Sequence, residues 1–281
     1  MNQAVLRGSD HLILGAIGAV SEDAVAIAIS KGGAAKTYQH TDPNEDAAAF
    51  ARGEGGVFVA VADGHNGANG ADIALAHLLA EFAPAWTAAD CTLQGAAAWR
   101  EAICRALLEV NSEILKDAAR RAAQPPGTTL SLAVTRPGDN QWIHAATGDS
   151  PLFELGQRGE LVDLGFAALS SSRASYLGRQ AETLESIREK CAVGVRPLGQ
   201  LRALVLATDG LSEIGIGVRD PGTTVVEVAA RAAAKSADLR PLETARGVVK
   251  AALAAHRANR AGDNAAAGVV WLEASPSPGL P

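Results

Sequence analysis

The chain contains little cysteine, few aromatic side chains and no surplus of positive charge, and each shortage argues against a class of protein. Its 281 residues include three scattered cysteines, Cys91, Cys104 and Cys191, without metal-type spacing. An odd and sparse set of this kind argues against a disulfide framework and favours reduced thiols in a cytoplasm. The formal net charge is −6 with no basic cluster, which argues against a nucleic-acid-binding surface.

Long apolar runs are also lacking. No stretch reaches the length of a membrane span, and the segment from Met1 to Asp10 has no apolar signal core. We therefore expect a cytoplasmic monomer that binds neither membrane nor nucleic acid. Because 48% of the residues are hydrophobic and only 4% are aromatic, the core should be mostly aliphatic, with closely packed helices.

Apolar runs and residue spacing predict the order of the regular elements. Strands are predicted at Leu12–Ile17, Ala24–Ser30, Val57–Ala62, Thr129–Thr135, Trp142–Thr147, Leu152–Leu155, Ala203–Thr208 and Ala267–Leu272. Helices are predicted at about Ala71–Phe82, Trp99–Ile114, Thr224–Ala234 and Leu242–Asn259. Strands in groups, interrupted by pairs of helices, favour an α+β fold of two packed, mostly antiparallel β-sheets flanked by helices on both outer faces.

Two segments fall outside this pattern. Residues 167–200 are polar, with a serine run at Ser170 to Ser172, and we predict a surface flap there. The tail of residues 273–281 is rich in proline and serine and is expected to be flexible. Residues 1–272 are then expected to form a single domain.

Four short acidic stretches stand beside the apolar runs that predict buried strands. They are Asn44-Glu45-Asp46, Asp63-Gly64-His65, Thr208-Asp209-Gly210 and Gly262-Asp263-Asn264. Each one alone is consistent with an ordinary turn, because Asp-Gly and Asp-Asn are common in turns. Carboxylates that converge at strand ends repel each other, however, and a divalent cation relieves that repulsion. The four together therefore predict a site for Mg²⁺ or Mn²⁺, which prefer oxygen ligands.

A metal centre of this kind suits the hydrolysis of phosphate esters. Two metals can activate a water molecule and neutralise the phosphoryl oxygens. His65 follows Asp63 at the same turn, and a histidine there could protonate a leaving alkoxide.

Five motifs, in order, resemble those of the metal-dependent protein phosphatases of the PP2C (PPM) family. They are Asp63-Gly64-His65-Asn66-Gly67 after its strand, Gly127-Thr128-Thr129, Gly148-Asp149-Ser150, Thr208-Asp209-Gly210 and Asp263-Asn264. The resemblance spans residues 44 to 270. It implies an αββα sandwich, which agrees with the α+β prediction above, and a phosphoprotein substrate.

The resemblance also implies a role for each matching residue. Asp63 would bridge two catalytic metals, the Gly64 carbonyl would complete one shell, and Asp209 and Asp263 would bind the other metal. Asp46 and Glu45 would hold metal-bound water, and His65 would be the general acid. Asp149 and Glu213 match positions that hold a third, weaker metal, with Glu213 in place of the usual aspartate.

Three departures from the family pattern bear on the substrate. Thr41 stands where the family usually has a phosphate-binding arginine, Asn66 replaces a glycine, and Pro151 replaces a frequent arginine. Lys36 and His40 precede the first acidic motif, and they are the candidates to supply the missing positive charge beside Thr41.

The leading hypothesis is a Mg²⁺- or Mn²⁺-dependent serine/threonine phosphoprotein phosphatase. One alternative is a pseudophosphatase that binds phosphoproteins without turnover, which the missing arginine would favour. Another is a hydrolase of small phosphate esters. Hydrolysis of an aryl phosphate with and without Mn²⁺ separates the first two, and phosphopeptide against free phosphoserine separates the first from the third.

Overall fold

The structure is a computed structural model that describes residues 1–36, 40–165 and 175–272. The predicted tail, 273–281, and part of the predicted flap, 167–174, lie outside the described residues. The described strands are β1 Asn2–Arg7, β2 Gly18–Glu22, β3 Val25–Ser30, β4 Asp46–Arg52, β5 Val57–His65, β6 Gly127–Thr128, β7 Leu130–Arg136, β8 Gln141–Thr147, β9 Leu152–Gly156, β10 Leu161–Asp163, β11 Ala192–Pro197, β12 Leu201–Ala207 and β13 Ala265–Trp271. The described α-helices are α1 Asn69–His77, α2 Ala83–Thr87, α3 Gly95–Arg120, α4 Leu184–Lys190, α5 Pro221–Ala233 and α6 Arg240–Asn259.

The strands form two sheets in which every pairing of neighbours is antiparallel. The first sheet has the order β1-β4-β5-β7-β8-β11, with the short β6 paired to the end of β5. The second has the order β10-β9-β12-β13-β3-β2. The predicted class, two packed antiparallel sheets with helices outside, is confirmed.

Three apolar layers hold the sheets and helices together. Alternate residues of β4 illustrate them: Ala47, Ala49 and Ala51 face α1 and α3, whereas Ala48 and Phe50 face the other sheet. On the far side, β12 and β13 pack against α5 and α6. Strands buried on both faces need apolar side chains at every position, which explains their continuous apolar runs. Alanines on a helix-facing side let helix and sheet approach closely, as the composition predicted.

One predicted strand is wrong. Residues Leu12–Ile17 form no strand, and Leu12, Ile13 and Leu14 are 48%, 75% and 48% exposed. The edge strands that occur instead are β1 and β2, which flank this segment and carry more polar residues. A short apolar run alone does not distinguish a buried strand from an exposed loop.

The predicted flap contains regular structure in its described part. Helix α4 begins after Thr183, whose hydroxyl accepts the Ser186 N–H at 3.1 Å as an N-terminal cap. Strand β11 pairs with β8 along its whole length. Residues 184–197 therefore belong to the helix layer and to the edge of the first sheet, and they are not irregular.

The topology brings the acidic motifs to one end of the sandwich. Asp46 opens β4 and lies opposite Asp63 near the end of β5. In the second sheet, Ala207 ends β12 opposite Ala267, so Asp209 and Asp263 flank the same end of the β12–β13 pair. The antiparallel order thus gathers residues as far apart in the chain as Asp46 and Asp263, which are separated by 217 positions.

The two sheets approach each other closely at Gly268. This close approach predicts how a larger side chain there would affect stability. A Cβ added to Gly268 would lie 2.7 Å from Val59 Cγ2 in the opposite sheet. Gly268→Ala should therefore lower the free energy of unfolding by about 1–3 kcal/mol, the usual cost of overpacking. Gly138→Ala is the matched control, because nothing lies within 4 Å of the added atom. Equal denaturant midpoints for the two variants would contradict the packing described.

Candidate metal centre

The backbone of Asp63 is held by two threonines of the Gly-Thr-Thr motif. The Asp63 N–H donates to Thr129 Oγ1 at 3.2 Å, and the Asp63 carbonyl accepts the Thr129 N–H at 2.9 Å. The Thr128 hydroxyl donates to the same carbonyl at 3.0 Å. These three bonds use the backbone polar groups, which leaves the carboxylate to face the end of the sandwich.

Ser150 fixes the neighbouring acidic motif to the same threonine. Its hydroxyl lies 2.8 Å from Thr129 Oγ1, and its carbonyl accepts the Ser131 hydroxyl at 2.6 Å. Asp149 is thereby brought beside Asp63. Carboxylate oxygens of Asp63, Asp149 and Asp209 all lie within 4.8 Å of one another. Three oxygens at this spacing can ligate one divalent cation.

Thr208 links Asp46 to the second sheet. The Thr208 hydroxyl donates to Asp46 Oδ2 at 2.7 Å and accepts the Ala266 N–H at 2.8 Å. Asp209 follows directly and begins a 3₁₀ turn, in which its carbonyl accepts the Glu213 N–H at 2.6 Å. The backbone of Glu213, a predicted ligand of a third metal with Asp149, is therefore tied to Asp209.

Asn264 joins the loops that carry the first and last acidic motifs. Its Oδ1 accepts the Glu45 N–H at 2.8 Å and the Lys36 ammonium at 2.5 Å. Its amide nitrogen donates to the carbonyls of Lys31 and Pro43, at 3.0 and 3.1 Å. One buried amide thus sets the position of Asp263 relative to Glu45.

Lys36 lies against the acidic cluster. Its ammonium is 3.7 Å from Asp263 Oδ1, and only 11% of the side chain is exposed. Burial lowers the pKa of Lys36, while Asp263, Asp46 and Glu45 act to raise it. The predicted phosphate-binding lysine is therefore engaged with Asp263 and Asn264.

The Glu45 carboxylate shapes the turn around it. Glu45 Oε1 accepts the N–H groups of Gly67 and Asp42 at 2.6 and 3.3 Å, and Oε2 lies 2.5 Å from His40 Nδ1. Burial raises the pKa of Glu45, but the hydrogen bonds from His40 and Asp42 outweigh it and the pKa lies below its usual range. Glu45 is consequently a carboxylate whose oxygens already bind protein donors.

The charged forms of three other carboxylates, Asp46, Asp63 and Asp209, are destabilised by burial and by neighbouring negative charges. Burial, followed by the charges of Asp209 and Asp46, raises the pKa of Asp63 well above its ordinary value. Burial and Asp263 do the same to the pKa of Asp209. Burial raises the pKa of Asp46 to about 7, although Thr208 donates to it. An all-oxygen donor set with raised pKa values fits a hard divalent cation, which would replace the missing positive charge.

His65 lies at the rim of the cluster, and its two ring nitrogens have different surroundings. Nδ1 lies 3.4 Å from Asp63 Oδ2 without forming a hydrogen bond in the described residues. Nε2 lies 3.1 Å from the Tyr176 hydroxyl, and the two rings are 4.4 Å apart between centroids. Burial, and then the charge of Arg179, lowers the pKa of His65.

A small cavity of about 120 Å³ opens beside this histidine. Its lining contains most of the predicted catalytic and phosphate-binding residues: His40, Thr41, Glu45, Asp63, Gly64, His65, Asn66 and Asp209. Lys36 is not part of this lining. A larger cavity of about 720 Å³ lies between α5 and α6, away from the acidic cluster.

Sequence reasoning missed several residues of the site. Thr208 and Asn264 lie within quoted motifs, but their linking roles follow only from their contacts. Tyr176 and Arg179 carry no motif signal, since they lie in a polar stretch that was predicted to be a flap. The one available clue is scarcity, because the whole chain contains two tyrosines.

A comparison with family models and a comparison with solved structures each found similar proteins. The family model of protein phosphatase 2C matches residues 34–264. Among solved structures, the serine-threonine phosphatase 2C from Toxoplasma gondii has a TM-score of 0.65 at 16% identity, over 97% of this chain and 99% of that one. Serine/threonine phosphatase Stp1 from Staphylococcus aureus has a TM-score of 0.62 at 16% identity, over 94% and 98%.

A bacterial serine phosphatase bearing an arginine-to-alanine mutation is similar too, with a TM-score of 0.65 at 17% identity, over 90% of this chain and 100% of that one. At these identities the likeness to the solved structures shows the fold. No curated protein matches the sequence. In the part of the chain that the structure describes, no helix combines the length and apolar character needed to cross a membrane.

The raised pKa values predict how stability depends on pH. The folded-state pKa of Asp46 is about 7, whereas an unfolded aspartate titrates near roughly 3.9, so the fold holds a proton that the unfolded chain releases. The metal-free protein should therefore lose stability as pH rises from about 4 through 7, and the raised pKa values of Asp63 and Asp209 add to that loss. Thermal melting between pH 5 and pH 8 measures it.

Mn²⁺ should raise the melting temperature more at pH 8 than at pH 5, because protons compete with the metal for the same oxygens. Asp46→Asn should flatten the pH dependence of the metal-free protein. Asp238→Asn, at an exposed position, is the control. A metal-free melting temperature that rises between pH 5 and pH 8 would contradict the electrostatic description.

Proposed function

We propose that this chain, which belongs to the protein phosphatase 2C family, is a Mg²⁺- or Mn²⁺-dependent enzyme that hydrolyses phosphoserine and phosphothreonine in proteins. The observation that carries the proposal is the meeting of Asp63, Asp149 and Asp209 within 4.8 Å at the end of the sandwich. The polar scaffold around them supports it, because threonine and asparagine side chains fix each acidic motif without neutralising it.

The proposed metal ligands are the acidic residues of this end and one carbonyl. Asp63 and the Gly64 carbonyl would share one metal, and Asp63, Asp209 and Asp263 the other. Asp46 and Glu45 would hold metal-bound water, and Asp149 with Glu213 a third ion. The short spacing of Asp149 to Asp63 and Asp209 supports its inclusion. Bound metal would activate water and neutralise the phosphoryl oxygens.

His65 would act on the leaving group. A serine or threonine oxygen that leaves phosphorus is a strong base and needs a proton, which an imidazolium can supply. Its position on the wall of the cavity, beside Asp63, supports this role. His65 would return to its starting state by taking up a proton after the product alcohol leaves.

His40 and Thr41 are the residues best placed to face the substrate phosphate, since both line the cavity. Lys36, whose ammonium contacts Asp263, would add to the positive potential at the phosphate site. Thr41 offers one neutral hydroxyl where arginine would offer two parallel charged hydrogen bonds. The proposed phosphate site is consequently less positive than a site with the usual arginine.

Cellular location and oligomeric state are also part of the proposed function. We place the protein in the cytoplasm as a monomer, with residues 1–272 as one domain and phosphoproteins as substrates. All three cysteines are free, which supports a reducing compartment.

The decisive experiment compares wild-type protein and Asp63→Asn on a phosphoserine peptide. With Mn²⁺ the wild type should turn over the peptide, and a chelator should abolish the activity. Asp63→Asn should lose most activity, because a neutral amide is a weaker bridging ligand. Asp238→Asn, exposed and distant, should match the wild type. Peptide binding without turnover would identify a pseudophosphatase, and turnover of free phosphoserine alone would identify a small-ester hydrolase.

If His65 is the general acid, the loss of rate on removing it should depend on the leaving group of the substrate. His65→Ala should slow phosphoserine peptide hydrolysis by roughly 100- to 10,000-fold, the usual contribution of general acid catalysis. Hydrolysis of 4-nitrophenyl phosphate should fall far less, because nitrophenolate leaves without a proton. Steady-state kinetics with both substrates measure the difference. Equal losses would point to a structural role for His65.

A further inference from the structure

Tyr176 reaches the proposed general acid from a separate segment of the chain, Ser175 to Gln180. Its hydroxyl lies 3.1 Å from His65 Nε2. The other ring nitrogen, Nδ1, lies towards Asp63 and has no hydrogen-bond partner among the described residues. One nitrogen of the ring is thus held by protein, while the other lies towards the acidic cluster.

We propose that Tyr176 is a positioning residue: its hydroxyl accepts the Nε2–H of His65 and so makes Nδ1 the nitrogen that gives its proton to the leaving oxygen. The inference rests on the proposed phosphatase function and names the atom that performs its proton transfer. The hydrogen bond at one nitrogen of a histidine decides which tautomer the ring adopts.

Proton transfer from His65 accompanies the exchange of one P–O bond for another. Water forms a new bond to phosphorus as the bond from phosphorus to the serine or threonine oxygen breaks. The proton on Nδ1 goes to that oxygen, and the Nε2–H remains donated to Tyr176. The attacking water releases one proton to solvent, and one proton from solvent reloads Nδ1.

Tyr176 stays a neutral acceptor in this arrangement. Burial, and then the charges of Asp149 and Asp63, raises the pKa of Tyr176 to about 12. A phenol that keeps its own proton retains lone pairs for the Nε2–H. It also leaves the net charge beside the acidic cluster unchanged.

The backbone that follows Tyr176 is anchored by hydrogen bonds to two other elements. Leu177 exchanges two hydrogen bonds with Thr128, at 3.0 and 2.9 Å, next to the threonines that hold Asp63. The buried amide of Asn111 accepts the Gly178 N–H at 2.7 Å and donates to the Gln180 carbonyl at 2.9 Å. These bonds tie the tyrosine to β6 and α3, so its hydroxyl has a fixed place.

Arg179 adds a contact to the ring itself. Its guanidinium carbon lies 4.2 Å from the centroid of the Tyr176 ring, a cation–π geometry. The His65 ring lies 4.4 Å from the same centroid. The tyrosine is therefore fixed by its backbone, by its ring and by its hydroxyl, as a residue that orients another must be.

The test is Tyr176→Phe, which removes the hydroxyl and keeps the ring. On a phosphoserine peptide with Mn²⁺, kcat should fall about 3- to 10-fold, the effect of one net hydrogen bond, with KM unchanged. Hydrolysis of 4-nitrophenyl phosphate should be unchanged. In a His65→Ala background, Tyr176→Phe should have no further effect, because the residue acts only through His65.

Thr147→Val is the matched control. It removes a hydroxyl that contacts the same segment, at the Ser175 carbonyl, but does not touch His65. Its kcat should be the same fraction of wild type on both substrates. Equal losses from Tyr176→Phe on both substrates, or a loss that persists in the His65→Ala background, overturns the positioning role.

Nitrogen-15 NMR of the imidazole gives a readout that does not need activity. In the wild type, the spectrum should show the Nε2-bound proton when the ring is neutral, and Tyr176→Phe should shift the Nε2 signal. An identical signal in both proteins overturns the proposed hydrogen bond. A wild type that hydrolyses neither substrate overturns the phosphatase function instead, and the NMR comparison then decides the contact alone.

Discussion

Mutual repulsion among buried carboxylates is the constraint on which the rest of the structure depends. Asp46, Asp63 and Asp209 are brought together at the ends of strands, where burial and neighbouring charges raise all three pKa values. Such a cluster persists only if the surrounding fold holds it. The two sheets supply that restraint, because each acidic motif is attached to a strand that is buried on both faces.

The restraint is carried by neutral polar side chains. Thr128 and Thr129 hold the backbone of Asp63, Thr208 links Asp46 to the second sheet, and Asn264 joins two loops. None of these groups adds charge, so they position the carboxylates without supplying the positive charge that a cation would bring. The Gly-Thr-Thr motif thus supports Asp63, and the Thr-Asp-Gly motif supports Asp46.

The sequence predicted the core of the fold better than its margins. Runs such as Val57–Ala62 are apolar at every position because both faces of the strand are buried. Such burial can therefore be predicted from the sequence alone. The segment Leu12–Ile17 is also a continuous apolar run but is exposed in part, since only the tertiary fold decides which apolar run packs against another element. Acidic motifs at strand ends were recognisable for the same local reason. Tyr176 was not, because its contact with His65 spans 111 positions and follows no local pattern.

Lys36 has a consequence for the charge balance of the acidic cluster. Its ammonium lies against the Asn264 amide and close to Asp263 and other acidic residues, so the folded chain carries a covalently attached counter-ion of its own. Unlike a divalent ion, this charge cannot dissociate or be captured by a competing chelator in the cell. The polypeptide itself therefore offsets part of the repulsion among these carboxylates, and this contribution does not depend on any exchangeable ion.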